Sequence, residues 1–216
     1  MKKVIFLMYV LITTTVSAQK LSIGVEGGAS VTKLLITTKY SNQTATKYSP
    51  WLGYYIGVSG KYKLSDKSAI KFFVQGEKRS VRTVNGIQYT DANGNPLNEI
   101  NFIISNNYVN VGALYVMTLA KYLQLGVGIN NHILIYSTSY SSDLKTLSSN
   151  GRYKNEYFKK YLASIPVQLI ITPNSRFNIC YSIDFGVMNR VGNSGGVYKQ
   201  FEYTMQLGLN YRLSKQ

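Results

Sequence analysis

"FEYTMQLGLNYRL", residues 201–213, alternates without a break. Phe201, Tyr203, Met205, Leu207, Leu209, Tyr211 and Leu213 are apolar, while Glu202, Thr204, Gln206, Gly208, Asn210 and Arg212 are polar or glycine. Successive side chains of a β-strand point to opposite faces, so the stretch reads as one strand with two unlike faces. It is also long. Strands of soluble domains average about 5–6 residues, and a strand tilted across a bilayer needs about 9–11. Which face meets a closed interior, and which meets the surroundings, decides the fold.

Seven more segments carry the same period: 20–28, 51–64, 68–79, 108–117, 122–133, 161–171 and 176–188. In 176–188, Phe177, Ile179, Tyr181, Ile183, Phe185 and Val187 oppose Asn178, Cys180, Ser182, Asp184 and Gly186. The connections alternate in length. Residues 31–50, 80–107, 137–160 and 189–200 are long and rich in Asn, Ser, Thr, Lys and Tyr, whereas 65–67, 118–121 and 172–175 are tight turns. The expected fold is all-β: an eight-stranded antiparallel up-and-down transmembrane β-barrel with short periplasmic turns and long outer loops. A soluble eight-stranded carrier shares the periodicity. Three features favour the membrane. Tyr203 and Tyr211 bracket Met205, Leu207 and Leu209, as interfacial girdles do. The polar faces carry small Gly, Ser and Asn rather than the Lys and Glu of a wet exterior. A barrel in lipid must also close, and 201–213 supplies a last strand for the first.

The beginning of the chain fits export. "MKK" precedes the apolar run "VIFLMYVLI", and "VSA" ends in small residues, so 1–18 reads as a cleaved signal peptide and 19–216 as one barrel domain. The run falls well short of the roughly 20 residues of a spanning helix. The net charge is +15, of which Lys2 and Lys3 leave with the signal. In an exported chain this excess points to anionic surfaces rather than nucleic acid. Cys180 is the only cysteine, which excludes an intrachain disulfide framework. Nineteen Tyr and eighteen Gly against four Pro fit a β-rich chain.

A mature start "QKLSIGVEGGAS", eight alternating strands and a finish in "LGLNYRL" resemble the small outer-membrane β-barrel proteins of Bacteroidota-type bacteria. These are the PorT-like proteins, or proteins with an outer membrane protein beta-barrel domain. The resemblance spans the mature chain and implies the barrel fold, the outer membrane and, for PorT-like members, an accessory part in protein secretion or surface assembly. The chain departs from a common barrel pattern in its ending: Tyr211 and Leu213 are followed by "SKQ" instead of a terminal aromatic.

Catalytic patterns are sparse. His132 is the only histidine, placed at the outer end of the fifth strand, with Ser137, Ser139 and Asp143 nearby. Ser137 falls on the opposite face from His132 if the strand runs on. "DANGNPLNE" (91–99) lacks calcium-loop spacing, and one Cys with one His makes no metal cluster. No cofactor is expected. Inside the barrel, Glu26, Lys61, Lys71, Glu77, Arg79, Asp184, Glu202 and Arg212 are expected to form a paired polar network, with Glu26–Arg212 or Glu202 and a neighbouring cation across the closing seam. A narrow lumen so filled disfavours a pore. The outer-loop candidates are Lys33, Lys39, Tyr40, Lys47, Tyr48, Lys145, Arg152, Tyr153 and Lys154, basic and aromatic positions suited to phosphate- and carboxylate-bearing surfaces. The expected function is non-enzymatic: a structural or surface-interaction barrel among outer-membrane lipid and lipopolysaccharide, with envelope or secretion proteins as further partners. A lipid A-modifying enzyme centred on His132 is the third class.

Overall fold

In the computed structural model, which describes residues 21–38, 48–84, 102–141, 152–154, 158–191 and 198–213, the opening stretch closes the molecule. The strands are β1 (Leu21–Thr38), β2 (Tyr48–Lys63), β3 (Ser68–Thr83), β4 (Phe102–Ala120), β5 (Leu123–Ser141), β6 (Arg152–Lys154), β7 (Tyr161–Ile171), β8 (Phe177–Gly186) and β9 (Tyr198–Arg212). Sequence neighbours pair antiparallel around the wall, and β9 returns to β1 from Gly24↔Arg212 to Thr38↔Tyr198. The three-residue β6 pairs only with the upper part of β5 (Thr138↔Lys154 to Tyr140↔Arg152). Below it β5 pairs with β7. Eight strands therefore form the closed ring, as the alternation requires, and β6 is a stub outside it.

Burial answers which face points where. On β9, Glu202, Thr204, Gln206, Gly208 and Asn210 are buried, while Met205, Leu207 and Leu209 are more than half exposed. Ile56 at 70% and Ile129 at 63% are exposed on other strands. Thr204 and Asn110, both polar, are at 0%. This inverts a soluble protein, in which large apolar side chains are the buried ones. A continuous apolar exterior of this kind is the surface that hydrocarbon solvates. Aromatic residues rim it. Tyr54, Tyr136, Tyr161 and Phe185 are exposed toward one end, and Tyr115, Tyr122 and Phe177 toward the other. From Tyr203 to Tyr211 the chain rises roughly 26 Å, or ~20 Å along the axis at a tilt of ~40°, close to the height of a lipid-facing belt.

The turns explain the up-and-down path. In 64–67 the amides of Leu64 and Ser65 both donate to the Ser68 carbonyl at 3.0 Å. The Lys63–Asp66 pair at 2.8 Å holds the exposed Asp66 carboxyl below its usual range through a hydrogen bond and charge. Lys121 and Tyr122 make the second turn. Asn174 makes the third, its Oδ1 accepting from the Arg176 and Phe177 amides at 2.9 and 2.8 Å. The ends of β1 and β9 lie at this same rim, where Leu21 pairs with Tyr62 and Gly24 with Arg212.

Two expectations are corrected here. Much of what reads as outer loop is strand: β1 runs on to Thr38, β2 begins at Tyr48, β3 reaches Thr83, β4 begins at Phe102 and β5 ends at Ser141. Above the lipid belt the outward face no longer needs to be apolar, so stretches such as Ser105–Asn106–Asn107 lose the apolar alternation that marks a strand and keep its ladder of hydrogen bonds. The wall is therefore lopsided. β1 to β5 are 16 to 19 residues long, while β7 and β8 are 11 and 10. The lumen is also not uniformly polar. Ala69, Phe73, Leu114, Val116, Ile170 and Cys180 form a buried apolar cluster inside it.

Candidate functional site

The lumen holds two charged groups of side chains. The first centres on Glu26 of β1. Lys71 Nζ lies 2.6 Å from Glu26 Oε2 and 3.0 Å from Gln168 Oε1. Gln75 donates to Glu26 Oε1 at 2.6 Å, and Asn210 donates to Oε2 at 3.1 Å. Side chains of β3 and β9 thus converge on one carboxylate of β1, and β7 joins through Lys71. The expected Glu26–Arg212 pair does not form, because the register sets Glu26 opposite Asn210 and Gly24 opposite Arg212.

The second group centres on Arg79 of β3. Its guanidinium faces Glu77 Oε2 at 2.8 Å, Glu202 Oε2 at 3.1 Å and Asp184 Oδ2 at 3.4 Å. The Tyr108 ring lies 5.3 Å from the guanidinium carbon. Arg190 closes the group from above, 2.9 Å from Glu202 Oε1 and stacked on Phe158 at 4.0 Å. Asn110 and Gln206 saturate Glu77 at 2.6 and 2.9 Å. Every acid expected in the network is therefore in it, as are Lys71 and Arg79. Arg190 is one that sequence reasoning missed. It lies beyond the end of β8, in a stretch that reads as loop, and is drawn inward by the Gln200 carbonyl, to which its amide donates at 2.8 Å.

Lys61 and Arg212 depart from the expectation. They line the turn-side mouth, half-buried, and among the described residues neither lies within ion-pair distance of a carboxylate. Lys61 Nζ donates to Gln124 Oε1 at 2.6 Å, and Arg212 Nη2 to Asn178 Oδ1 at 3.0 Å.

His132 sits mid-strand in β5 rather than at its outer end, at 1% exposure. Asn110 Nδ2 is committed to Glu77, which leaves Asn110 Oδ1 as an acceptor 2.8 Å from His132 Nδ1. His132 Nδ1 also lies 3.2 Å from Arg79 Nη2, and Nε2 lies 2.8 Å from the Ser164 hydroxyl. Ser164 was not among the candidates; only the β5–β7 pairing, Asn130↔Ser164 and His132↔Leu162, brings it there. A register shift in the β4–β5 ladder, where Tyr136 faces Asn107 and Leu134 faces Tyr108, also turns Ser137 inward. It bonds Asn106 at 2.6 Å, on the same side as His132 and not the opposite one. Among the described residues no three His, Cys, Asp or Glu side chains stand together as a metal-binding set.

Of the outer-loop candidates, Lys33 lies on the outward face of β1 beside Tyr203, at the interfacial aromatic level, and not in a loop. Tyr48 is the first residue of β2 and half-buried. Arg152, Tyr153 and Lys154 are the stub β6. Lys39, Tyr40, Lys47 and Lys145 lie outside the described residues, as does the expected signal peptide, 1–18.

The inverted wall and the ion-paired lumen define a small transmembrane-type β-barrel with a filled interior. No protein-family model matches the chain, and no curated protein matches it in sequence. Solved structures do. Neisserial surface protein A (NspA) is similar at a TM-score of 0.50 and 9% identity, over 88% of this chain and 95% of that one. Ail, the attachment invasion locus protein of Yersinia pestis, solved with the heparin analogue sucrose octasulfate, gives 0.47 and 12%, over 90% and 99%. The outer membrane protein OprG of Pseudomonas aeruginosa gives 0.40 and 13%, over 89% and 95%. At such identities the likeness to NspA speaks for the fold alone.

Proposed function

We propose that this chain is a non-enzymatic outer-membrane barrel, exported by its cleaved signal, whose outer rim contacts anionic glycans, lipid head groups or a partner protein. One observation carries the reading. The lumen is filled by interlocked ion pairs around Glu26 and Arg79, so neither a pore nor a lumenal substrate path is left, and interaction falls to the surface. The tall β1–β5 side lifts a polar ledge above the apolar belt. The β6 stub, with Arg152 and Lys154, extends it. Basic and aromatic groups there match phosphate and carboxylate chemistry.

The test is binding of purified, detergent-held barrel to lipopolysaccharide. Changing Lys145, Arg152 and Lys154 together to Gln is expected to weaken binding about tenfold, with binding falling as salt rises. Unchanged binding would contradict the reading.

Two other readings have specific support. The PorT-like resemblance favours an accessory of secretion or surface assembly; a large stoichiometric complex in mild detergent, measured by light scattering, would favour it. The Asn110–His132–Ser164 hydrogen-bond chain has the order of a hydrolase nucleophile. Its members are at 0, 1 and 3% exposure and sit against Glu77 and Asp184, which supports a structural role. His132→Ala is expected to leave the lipid A acyl pattern unchanged by mass spectrometry.

A further inference from the structure

The turn-side end of the lumen opens into a small cup with about 20 Å³ of enclosed space below its open mouth. Lys61, Lys71 and Arg212 line it. Lys71 is neutralised by Glu26 at 2.6 Å. The other two cations have only neutral partners among the described residues, and both have donor capacity left. Lys61 commits one ammonium proton to Gln124. Arg212 commits Nη2 to Asn178, with a longer 3.5 Å contact from Nη1 to the Ser175 carbonyl. Ser59, also in the lining, accepts from Asn210 at 2.8 Å, so its hydroxyl proton is free to donate inward. The cup thus combines two uncompensated cations, a spare hydroxyl and one open side.

We propose that this cup is a binding site for a single oxyanion group, phosphate or carboxylate, entering from the turn side, with Lys61 and Arg212 as its charged ligands and Ser59 as a hydroxyl donor. The guanidinium offers a fork to two oxygens, and the ammonium supplies a point charge from across the lumen. The filled lumen above makes the cup a dead end, so the group binds there and does not pass through. On the proposed orientation it faces the periplasm. The site does not depend on what the opposite rim contacts.

The probe is inorganic phosphate, titrated at fixed ionic strength into the ¹⁵N-labelled full barrel in zwitterionic micelles while the Arg212 Nε–H resonance is followed. A saturable shift is expected. Lys61→Gln, measured through the same resonance, is expected to weaken binding about tenfold or more, the worth of one charge-assisted hydrogen bond. Lys63→Gln, on the exposed turn beside Asp66, is expected to leave the wild-type constant unchanged. Absence of a saturable shift in the wild type would overturn the proposal, as would a loss in Lys63→Gln equal to that in Lys61→Gln. Phenyl phosphate separates the sources of the group. Binding as tight as inorganic phosphate supports a site for an oxyanion borne on a larger molecule, and exclusion of the ester supports one for the free ion.

Discussion

Arg79→Met is expected to prevent the barrel from refolding to its native form in phospholipid vesicles. Arg79 is the cation shared by Glu77, Asp184 and Glu202, each within 3.4 Å and each almost wholly buried. Methionine fills much of the volume but leaves three carboxylates facing one another, with Arg190 reaching only Glu202. Removing one partner of a buried ion pair costs about 3–5 kcal/mol, and here one cation serves three acids. The reading is the fraction of unboiled protein at the compact position on an SDS gel, together with the urea midpoint of refolding. Arg79→Lys is expected to be intermediate, because an ammonium cannot span three acids as the guanidinium does. Adding Glu77→Gln and Asp184→Asn to Arg79→Met is expected to restore part of the loss. A lack of recovery would mean that packing against Tyr108, 5.3 Å away, matters more than charge.

Gly208→Val is expected to break closure at the β1–β9 seam. Gly28 faces Gly208 across that seam and Tyr55 across the other edge of β1. With no side chain at either glycine, the buried Tyr55 ring lies over both strands. A Cβ built at 208 overlaps the Tyr55 hydroxyl and the Gly27 carbonyl oxygen, and comes within 2.9 Å of Tyr55 Cζ. Overpacking of this kind costs about 3 kcal/mol, and a branched residue cannot turn away from backbone. The unfolding midpoint is expected to fall accordingly. Tyr55→Ala in the same chain is expected not to rescue it, since the overlap with Gly27 remains. Full rescue would show that only the ring is in the way.

How far the sequence was legible follows from which physical signal each feature leaves. Alternation exposes a strand wherever one face meets hydrocarbon, so Leu207 and Gln206 were assigned to opposite faces from 201–213 alone. The same alternation placed Glu26, Lys71, Glu77, Arg79, Asp184 and Glu202 inside. It fails above the belt, where residues 105–107 of β4 and 137–139 of β5 are polar on both faces, so these stretches read as loop. It also fails at the β4–β5 register shift, where one irregular step turns Ser137 inward. Partner choice was not legible. Glu26 meets Lys71 rather than Arg212 because of stagger between strands, a quantity that no single segment contains. Arg190 and Ser164 join the network through chain return and ladder register, and neither carries a local sign of it.

The central claim is that the odd positions of residues 201–213 face hydrocarbon while the even ones face the filled lumen. Nitroxide labels placed one at a time at positions 204 to 207 and at 209, in a Cys180→Ser background and in lipid bilayers, test it most directly through collisional broadening by oxygen and by a water-soluble nickel chelate. The account predicts a period of two: high oxygen and low nickel accessibility at 205, 207 and 209, and low values for both reagents at 204 and 206. Nickel accessibility at 207 matching that of an exposed turn residue such as Asp66 would put the apolar face in water and contradict it.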